Sequence, residues 1–400
     1  MDIIFFKNKI NKFEVSRNFN IMKKNLIFIS LDTVRADVAY SGKFKGLEAL
    51  RKDSVTFLNT ISSSPLTPVS HSTILTGLQP FNHGVRHLFK EKLSKKVFTI
   101  AQILKKEKYK TAAIVSCPGM NKWYGFSKGF DLYDDEIPRL ADGSDPLKTI
   151  DVKKRGTALK RAELVVERAN KWLDKNKEQP FFLFIHFFDA HWPYEAPKKF
   201  GGDNYYEEEV AYTDHYMAQF IDKLKKDKLY DKTSIVCFSD HGEDLDGLYP
   251  NDKGGEKLGH PEELGHGCLL YDQTQKVVLI VKDKDLPKKK EIKNQVRLVD
   301  VVPTTLDMLN INCSKVNFDG ESLVQIAKSK SKVDLPAYSE TFYPEERNKQ
   351  KAKEKLTVTN KKSMRIGNKY KTIFHLSVDK IELYDLERDT NELVDIFNKS

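Results

Sequence analysis

The chain has 400 residues, of which 40% are apolar and 31% charged, which suits a folded chain with one large domain plus a smaller appendage. The net charge is +10, but the lysine-rich stretches Lys288 to Lys293 and Lys349 to Lys362 carry no interleaved aromatic motif, which argues against a nucleic-acid partner. Four widely spaced cysteines, Cys117, Cys237, Cys268 and Cys313, form no CxxC pair, which excludes a zinc-cluster or disulfide framework and fits free thiols in a reducing compartment.

Residues 1–21 read as a disordered N-terminal extension. The segment MKKNLIFISLD from Met22 begins like a signal peptide, but its apolar run is short and ends in Asp32 rather than at a small-residue cleavage site. Leu26 to Leu31 therefore reads as a strand buried on both faces. No apolar run is long enough to cross a bilayer, so a cytoplasmic location without a membrane partner is expected.

TPVSHSTILTGL, from Thr67, reads as a short helix with Thr67 as N-cap, Pro68 as first helical residue and Gly77 as its close. VFTIAQILKKEK has helical spacing and TAAIV reads as a strand. After a polar insertion at 134–158, Leu159, Ala162, Val165, Val166, Ala169 and Leu173 mark one face of a helix. The strand FFLFIHFF, a helix around VAYTDHYMAQFIDKLKK, and the strands SIVCFSD and VVLIVK follow, with a second insertion at 242–265.

Beyond Asp319-Gly320 the pattern changes. KKSMRIGNKYKTIFHL and KIELYDL read as antiparallel strands joined by turns. The expected fold is α/β: an α/β/α sandwich with a large, mostly parallel central sheet over 22–329, plus a small antiparallel-sheet subdomain over 330–400.

Polar residues collect where the strands end. LIFISLD ends in Asp32, FFLFIHFFDAH in Asp189 and His191, and SIVCFSDHG in Asp240 and His241. Open α/β sheets bind ligands beyond the carboxyl ends of their strands. Singly, each aspartate reads as a turn former; together they suggest one site. Carboxylates with an imidazole suit a divalent ion, and calcium, magnesium, manganese and zinc all remain open. Thr67 would lie at the positive end of its helix, where an anion binds readily. A cation touching its hydroxyl would make it a nucleophile. His71, one turn on, could reach that anion or position the hydroxyl.

These segments resemble the sulfatase family of the alkaline phosphatase superfamily. NLIFISLDTVRAD is similar to its opening strand and first metal aspartate, and TPVSHSTILTGLQPFNHGVR to its nucleophile helix. FFLFIHFFDAHWPYEAP, FSDHGE, GHGCLLYDQTQKVVLIV, VDVVPTTLDMLNI and ELYDLERDTNE follow in the family's order. The resemblance implies that Asp32, Asp240 and His241 hold a metal, and that Thr67 occupies the nucleophile position and touches it. It matches His71 to an active-site arginine, His191 to a histidine that protonates the leaving group, and His266 to a cationic contact. It makes Asp189 an extra or outer ligand. It implies one divalent metal ion, with a second possible, and an anionic small-molecule or glycan ester as substrate.

Two positions depart from the family. Sulfatases oxidise a Cys or Ser to formylglycine, which Thr67, with its methyl, cannot become. Ser116 and Pro118 stand where the family's GKWH segment has its lysine and histidine. Both departures weaken the case for ordinary sulfate-ester hydrolysis; the resemblance implies a metal-dependent hydrolase of sulfate or phosphate esters, with the threonine favouring phosphodiester or phosphonate substrates. The alternatives are a transferase moving a phosphoalcohol group to a glycan, and a non-catalytic binding protein that keeps the fold. The oligomeric state is not legible.

Overall fold

The computed structural model describes residues 23–149, 160–196, 200, 202–245, 260–261, 263, 265–313, 316–328, 333–347 and 359–397. The expected extension at 1–21, the boundary at 329/330 and large parts of both insertions lie outside the described residues.

In chain order the central strands are β1 (Asn25–Leu31), β2 (Val55–Ile61), β3 (Lys110–Ile114), β4 (Leu132–Asp134), β5 (Phe181–Phe187), β6 (Thr233–Phe238), β7 (Lys276–Val277), β8 (Leu279–Lys282) and β9 (Lys290–Arg297). The main helices are α1 (Lys45–Lys52), α2 (Thr67–Thr76), α3 (Ile100–Lys106), α4 (Ala162–Asn176), α5 (Tyr205–Lys226) and α6 (Val301–Met308).

Strands β4, β3, β5, β1 and β6 lie side by side and parallel. Strand β8 then runs antiparallel between β6 and β2, β7 continues along the same edge of β2, and β9 lies parallel to β2 on its other side. The sheet is thus mostly parallel, as expected. Three of its strands, β2, β4 and β9, are additions to the sequence reading, and VVLIVK runs antiparallel and is interrupted at Val278.

Strand periodicity divides the core into two layers. On one face Leu26 and Phe28 of β1 pack with Val69 of α2, Leu104 of α3 and Val302 of α6. On the other, Ile27, Ile29 and Leu31 pack with Leu47 of α1, Val165 of α4 and Phe220 of α5. Alternate side chains of a strand point to opposite faces, so a continuous apolar run is what a sheet covered on both sides requires. Phe28 meets Phe182 and Phe238 edge-on, at 5.2 and 5.7 Å between ring centres, and so ties β1 to both neighbours.

A second sheet of β10 (Ala337–Thr341), β11 (Lys361–Ile366), β12 (Tyr370–His375) and β13 (Lys380–Asp385) is antiparallel throughout. It packs Ile373, Tyr384 and Leu386 on Leu269, Leu270 and Tyr271. Asp272 pairs with Arg365 at 3.2 Å and with Lys371 at 3.1 Å. Thr341 Oγ1 donates to the Gly267 carbonyl, and the Glu263 carboxylate accepts from the amides of Cys268 and Leu269. The small sheet thereby clamps the segment that carries His266.

Register sets the site. Leu31 pairs with Phe187 and Ser30 with Phe238, so β1, β5 and β6 end together. Asp32, Asp189 and Asp240 are each the first or second residue beyond those ends.

Candidate active site and metal centre

Asp32 leaves β1 fully buried. Its Oδ2 lies 3.1 Å from His186 Nε2, and its Oδ1 is buried with no hydrogen-bond partner. Asp240, equally buried, accepts through Oδ1 from the amides of Thr33 (3.2 Å) and His241 (2.9 Å), while its Oδ2 has no partner. Its backbone carbonyl accepts from Ser62 Oγ at 2.6 Å and Ser70 Oγ at 2.8 Å, which ties the β6 end to α2. Thr33 takes φ +60° to aim its amide at Asp240. A β-branched residue in that region costs about 1–3 kcal/mol. Tyr206 holds it by donating to its carbonyl at 2.8 Å.

His241 donates from Nδ1 to the Gly242 carbonyl at 2.9 Å, which leaves the lone pair on Nε2. Ligand atoms of Asp32, Asp240 and His241 lie within 4.8 Å of one another, all buried. Thr67 Oγ1 stands 3.3 Å from His241 Nε2. Two buried carboxylate oxygens without donors, an imidazole lone pair and a hydroxyl together fit a divalent cation. Charge points the same way. Burial, then the Asp240 charge, raises Asp32 well above the ordinary carboxylate range. Against burial, His241 and His71 hold Asp240 below it.

Thr67 is the first residue of α2 rather than its cap. Leu66, at φ −133°, ψ 124°, is the cap, and Pro68 takes the second helical position. The difference has a local reason: the Ser70 amide bonds the Leu66 carbonyl at 2.9 Å, which starts the helix one residue early. The amides of Thr67 and Val69 precede that first helical bond. The turn after β3 comes near Thr67: a Cβ built on Gly119 would lie 3.4 Å from the Thr67 methyl. Gly77 closes the helix at φ +69°, as expected.

His71 is brought to the site as a buried neighbour of Thr67 and Asp240. It is fully buried, with Nδ1 2.9 Å from the Thr67 carbonyl and 3.4 Å from Asp240 Oδ2, and Nε2 2.8 Å from Ser30 Oγ. Burial pulls its pKa down, but contact with Asp240 and the charges of Asp240 and Asp32 carry it above the ordinary value.

His191 and His266 stand at the near side. The His266 ring is 4.2 Å from that of His241 and 5.0 Å from that of His191. His191 donates from Nδ1 to the Trp192 carbonyl at 2.6 Å, and burial, then His266, lowers its pKa to about 4. Asp189 is not among the ligands: its Oδ1 pairs with Arg161 at 3.0 Å and accepts the Ala162 amide at 3.1 Å, at the start of α4. Lys122 is an exposed surface residue whose ammonium is 3.6 Å from Asp135.

Sequence reasoning passed over three residues. Glu243 is fully buried and its Oε1 is 3.0 Å from His266 Nδ1. His186 reaches Asp32 from within β5, and Cys117 lies beside both. A histidine inside the otherwise apolar run FFLFIHFF was the available signal for His186.

Beyond the strand ends of a mostly parallel sheet, two carboxylates, an imidazole and a hydroxyl thus come together as a donor set that suits a divalent cation. The family model for sulfatase matches residues 24–311, and that for the C-terminal part of N-sulphoglucosamine sulphohydrolase matches residues 266–400; the chain belongs to the sulfatase family. It is 24% identical over 362 residues to an ulvan-active sulfatase of Formosa agariphila, covering 77% of this chain and 65% of that protein. The chain thus spans just under two thirds of that relative's length. A phosphonate monoester hydrolase of Agrobacterium radiobacter superposes with a TM-score of 0.74 at 17% identity, covering 94% of this chain and 92% of that one. A protein solved with its substrate D-glucosamine-2-N,6-O-disulfate superposes with a TM-score of 0.70 at 16% identity, covering 94% of both. At such identities the superpositions show a shared fold.

Proposed function

We propose that the chain hydrolyses a tetrahedral anionic ester of a small alcohol or glycan, with the Thr67 hydroxyl as nucleophile and a phosphodiester or phosphonate as the favoured substrate. The observation that carries this reading is the 3.3 Å approach of Thr67 Oγ1 to His241 Nε2, beside two carboxylate oxygens that lack donors. A divalent cation held by Asp32, Asp240 and His241 supplies positive charge that favours loss of the hydroxyl proton and offsets the charge of the anion.

The chain's own groups do the rest. The amides of Thr67 and Val69, at the N-terminus of α2, hold the ester's equatorial oxygens. The hydrogen bond between Thr67 Oγ1 and His241 Nε2, at 3.3 Å, orients the oxygen for in-line attack. The bond from Thr67 to sulfur or phosphorus forms as the bond to the alcohol breaks. His191 gives the departing oxygen its proton; it is neutral in the empty site and takes up a proton when the anion's charge arrives beside it. His266, its Nδ1 committed to Glu243, contacts the anion. Water then attacks the central atom and restores the Thr67 hydroxyl.

Thr67 cannot become an aldehyde hydrate, and Ser116 and Pro118 replace the family's lysine and histidine. Both weigh against ordinary sulfate-ester hydrolysis, and the threonine weighs toward phosphorus. The ulvan-active relative and the disulfated sugar bound by a neighbour support a glycan alcohol. Residues 22–329 act as the catalytic domain and 330–400 as the subdomain that braces His266. Among the described residues no helix is long and apolar enough to cross a membrane, and all four cysteines are free, which supports a reducing, cytoplasmic location.

The test is turnover of aryl sulfate, phosphate monoester, phosphodiester and phosphonate substrates with calcium, magnesium, manganese or zinc. Wild type is expected to cleave a phosphorus ester fastest, and Thr67→Ala to lose that activity by at least about a thousandfold. Equal rates in the two proteins would remove Thr67 from the chemistry.

A further inference from the structure

Asp32 belongs to two groups of potential ligands. The first is shared with Asp240 and His241. The second joins it to Cys117 and His186, whose ligand atoms also lie within 4.8 Å of one another and are buried. We infer that Asp32, Cys117 and His186 form a second cation site, bridged to the first through the Asp32 carboxylate and selective for a borderline-soft divalent ion such as zinc.

The hydrogen bonds around His186 carry the argument. Ser116 Oγ donates to the His186 carbonyl at 2.7 Å, which spends its only proton. Its lone pairs then face His186 Nδ1 at 3.0 Å, so that nitrogen is the donor of the pair. The imidazole's other nitrogen, Nε2, keeps its lone pair, and it faces the Asp32 carboxylate at 3.1 Å. In that tautomer both atoms are acceptors in a buried pocket, and a cation between them would satisfy both. The outward N–H bonded to an oxygen is also the usual second contact of a metal-bound histidine.

Spacing and chemistry agree. Tetrahedral zinc holds sulfur, nitrogen and oxygen ligands about 3.3–3.6 Å apart. The 3.1 Å between His186 Nε2 and Asp32 Oδ2 reaches those values by a small side-chain rotation, and all three ligand atoms lie within 4.8 Å of one another. Thiolate, imidazole and carboxylate suit zinc, whereas calcium and magnesium take oxygen ligands. The two positions therefore sort cations differently: an oxygen-rich one beside Thr67 and a sulfur-containing one behind it. The rival arrangement uses the Ser116 amide, 3.4 Å from Nδ1, as donor, which moves the proton to Nε2 and makes His186 only an orienting hydrogen bond to Asp32.

The inference rests on the first cation site, and cobalt(II) titration of the metal-stripped full chain separates the two. Wild type is expected to take up two cobalt ions per chain and to show a thiolate-to-cobalt charge-transfer band. Cys117→Ser should keep one ion and lose the band; Asp240→Asn should keep the band and lose the other ion. One ion per chain without a sulfur band, abolished by Asp240→Asn, would leave the first site standing and overturn the second. So would a band that survives Cys117→Ser. Absence of any bound cobalt would defeat both. The wild-type spectrum decides even if a variant fails to fold.

Discussion

Adding a divalent cation should raise the melting temperature of the metal-stripped chain, and Asp240→Asn should abolish the rise. Asp32 Oδ1 and Asp240 Oδ2 are buried without donors, each at a cost of about 1–3 kcal/mol that a cation would relieve. At a hundredfold excess over its dissociation constant, a ligand that binds only the folded chain adds about 2.7 kcal/mol. With an unfolding entropy of about 2.1 cal/mol/K per residue, 400 residues give about 0.8 kcal/mol/K, so the rise is about 3 °C. Asparagine keeps the acceptor that the Thr33 and His241 amides use while removing the charge, so Asp240→Asn should melt at the same temperature with and without cation. Differential scanning calorimetry of the stripped proteins, with and without manganese or zinc, measures both. A wild-type melting temperature indifferent to every cation, or an equal rise in Asp240→Asn, would refute the reasoning.

Thr67→Ser keeps the hydroxyl but loses the Cβ methyl that limits its rotamers; it should retain measurable kcat with a loss of about tenfold, whereas Thr67→Ala should be inactive and bind the cation more weakly for want of one ligand oxygen. Gly242→Ala would drive a Cβ to 2.0 Å from the Gln273 carbonyl oxygen; displacement of the Asp240-His241 turn should cost about 1–3 kcal/mol in denaturant unfolding and weaken cation binding. His83 is buried and accepts the Val85 amide through Nδ1 at 3.1 Å, and burial, then Arg86, lowers its pKa to about 3. Its folded pKa lies below the unfolded value of about 6.5. The stability it contributes is therefore present above about pH 6.5 and is lost as pH falls toward 3. Denaturation from pH 7 to 4 should show a pH slope about one proton shallower in His83→Gln, and an unchanged slope would contradict the neutral assignment.

Much of the site was legible because strand ends are legible. An apolar run followed at once by Asp32 or by Asp240-His241 marks both the strand and its functional end, and parallel register then brings those ends together. Gly77 was readable as a helix stop because only its left-handed φ satisfies the last turn. Direction along the sheet was not readable: VVLIVK is as apolar as a parallel strand, and only the pairing of β8 with β6 and β2 reveals its reversal. Strand β9, KEIKNQVR, carries charge at half its positions and has no strand-like run. That His71 would bond the Thr67 carbonyl and approach Asp240 was not readable, since a family position fixes where a side chain starts, not where it ends. His186 and Cys117 were hidden because a histidine in a strand and a free thiol both read as core until their neighbours are known.

The central claim is that one cation sits against Thr67 between the ends of β1 and β6. Anomalous diffraction from manganese-soaked crystals tests it most directly. The account predicts a peak within coordination distance of Asp32 Oδ1, Asp240 Oδ2, His241 Nε2 and Thr67 Oγ1. A peak that excludes the Thr67 oxygen, or none at these ligands under saturating manganese, would contradict it.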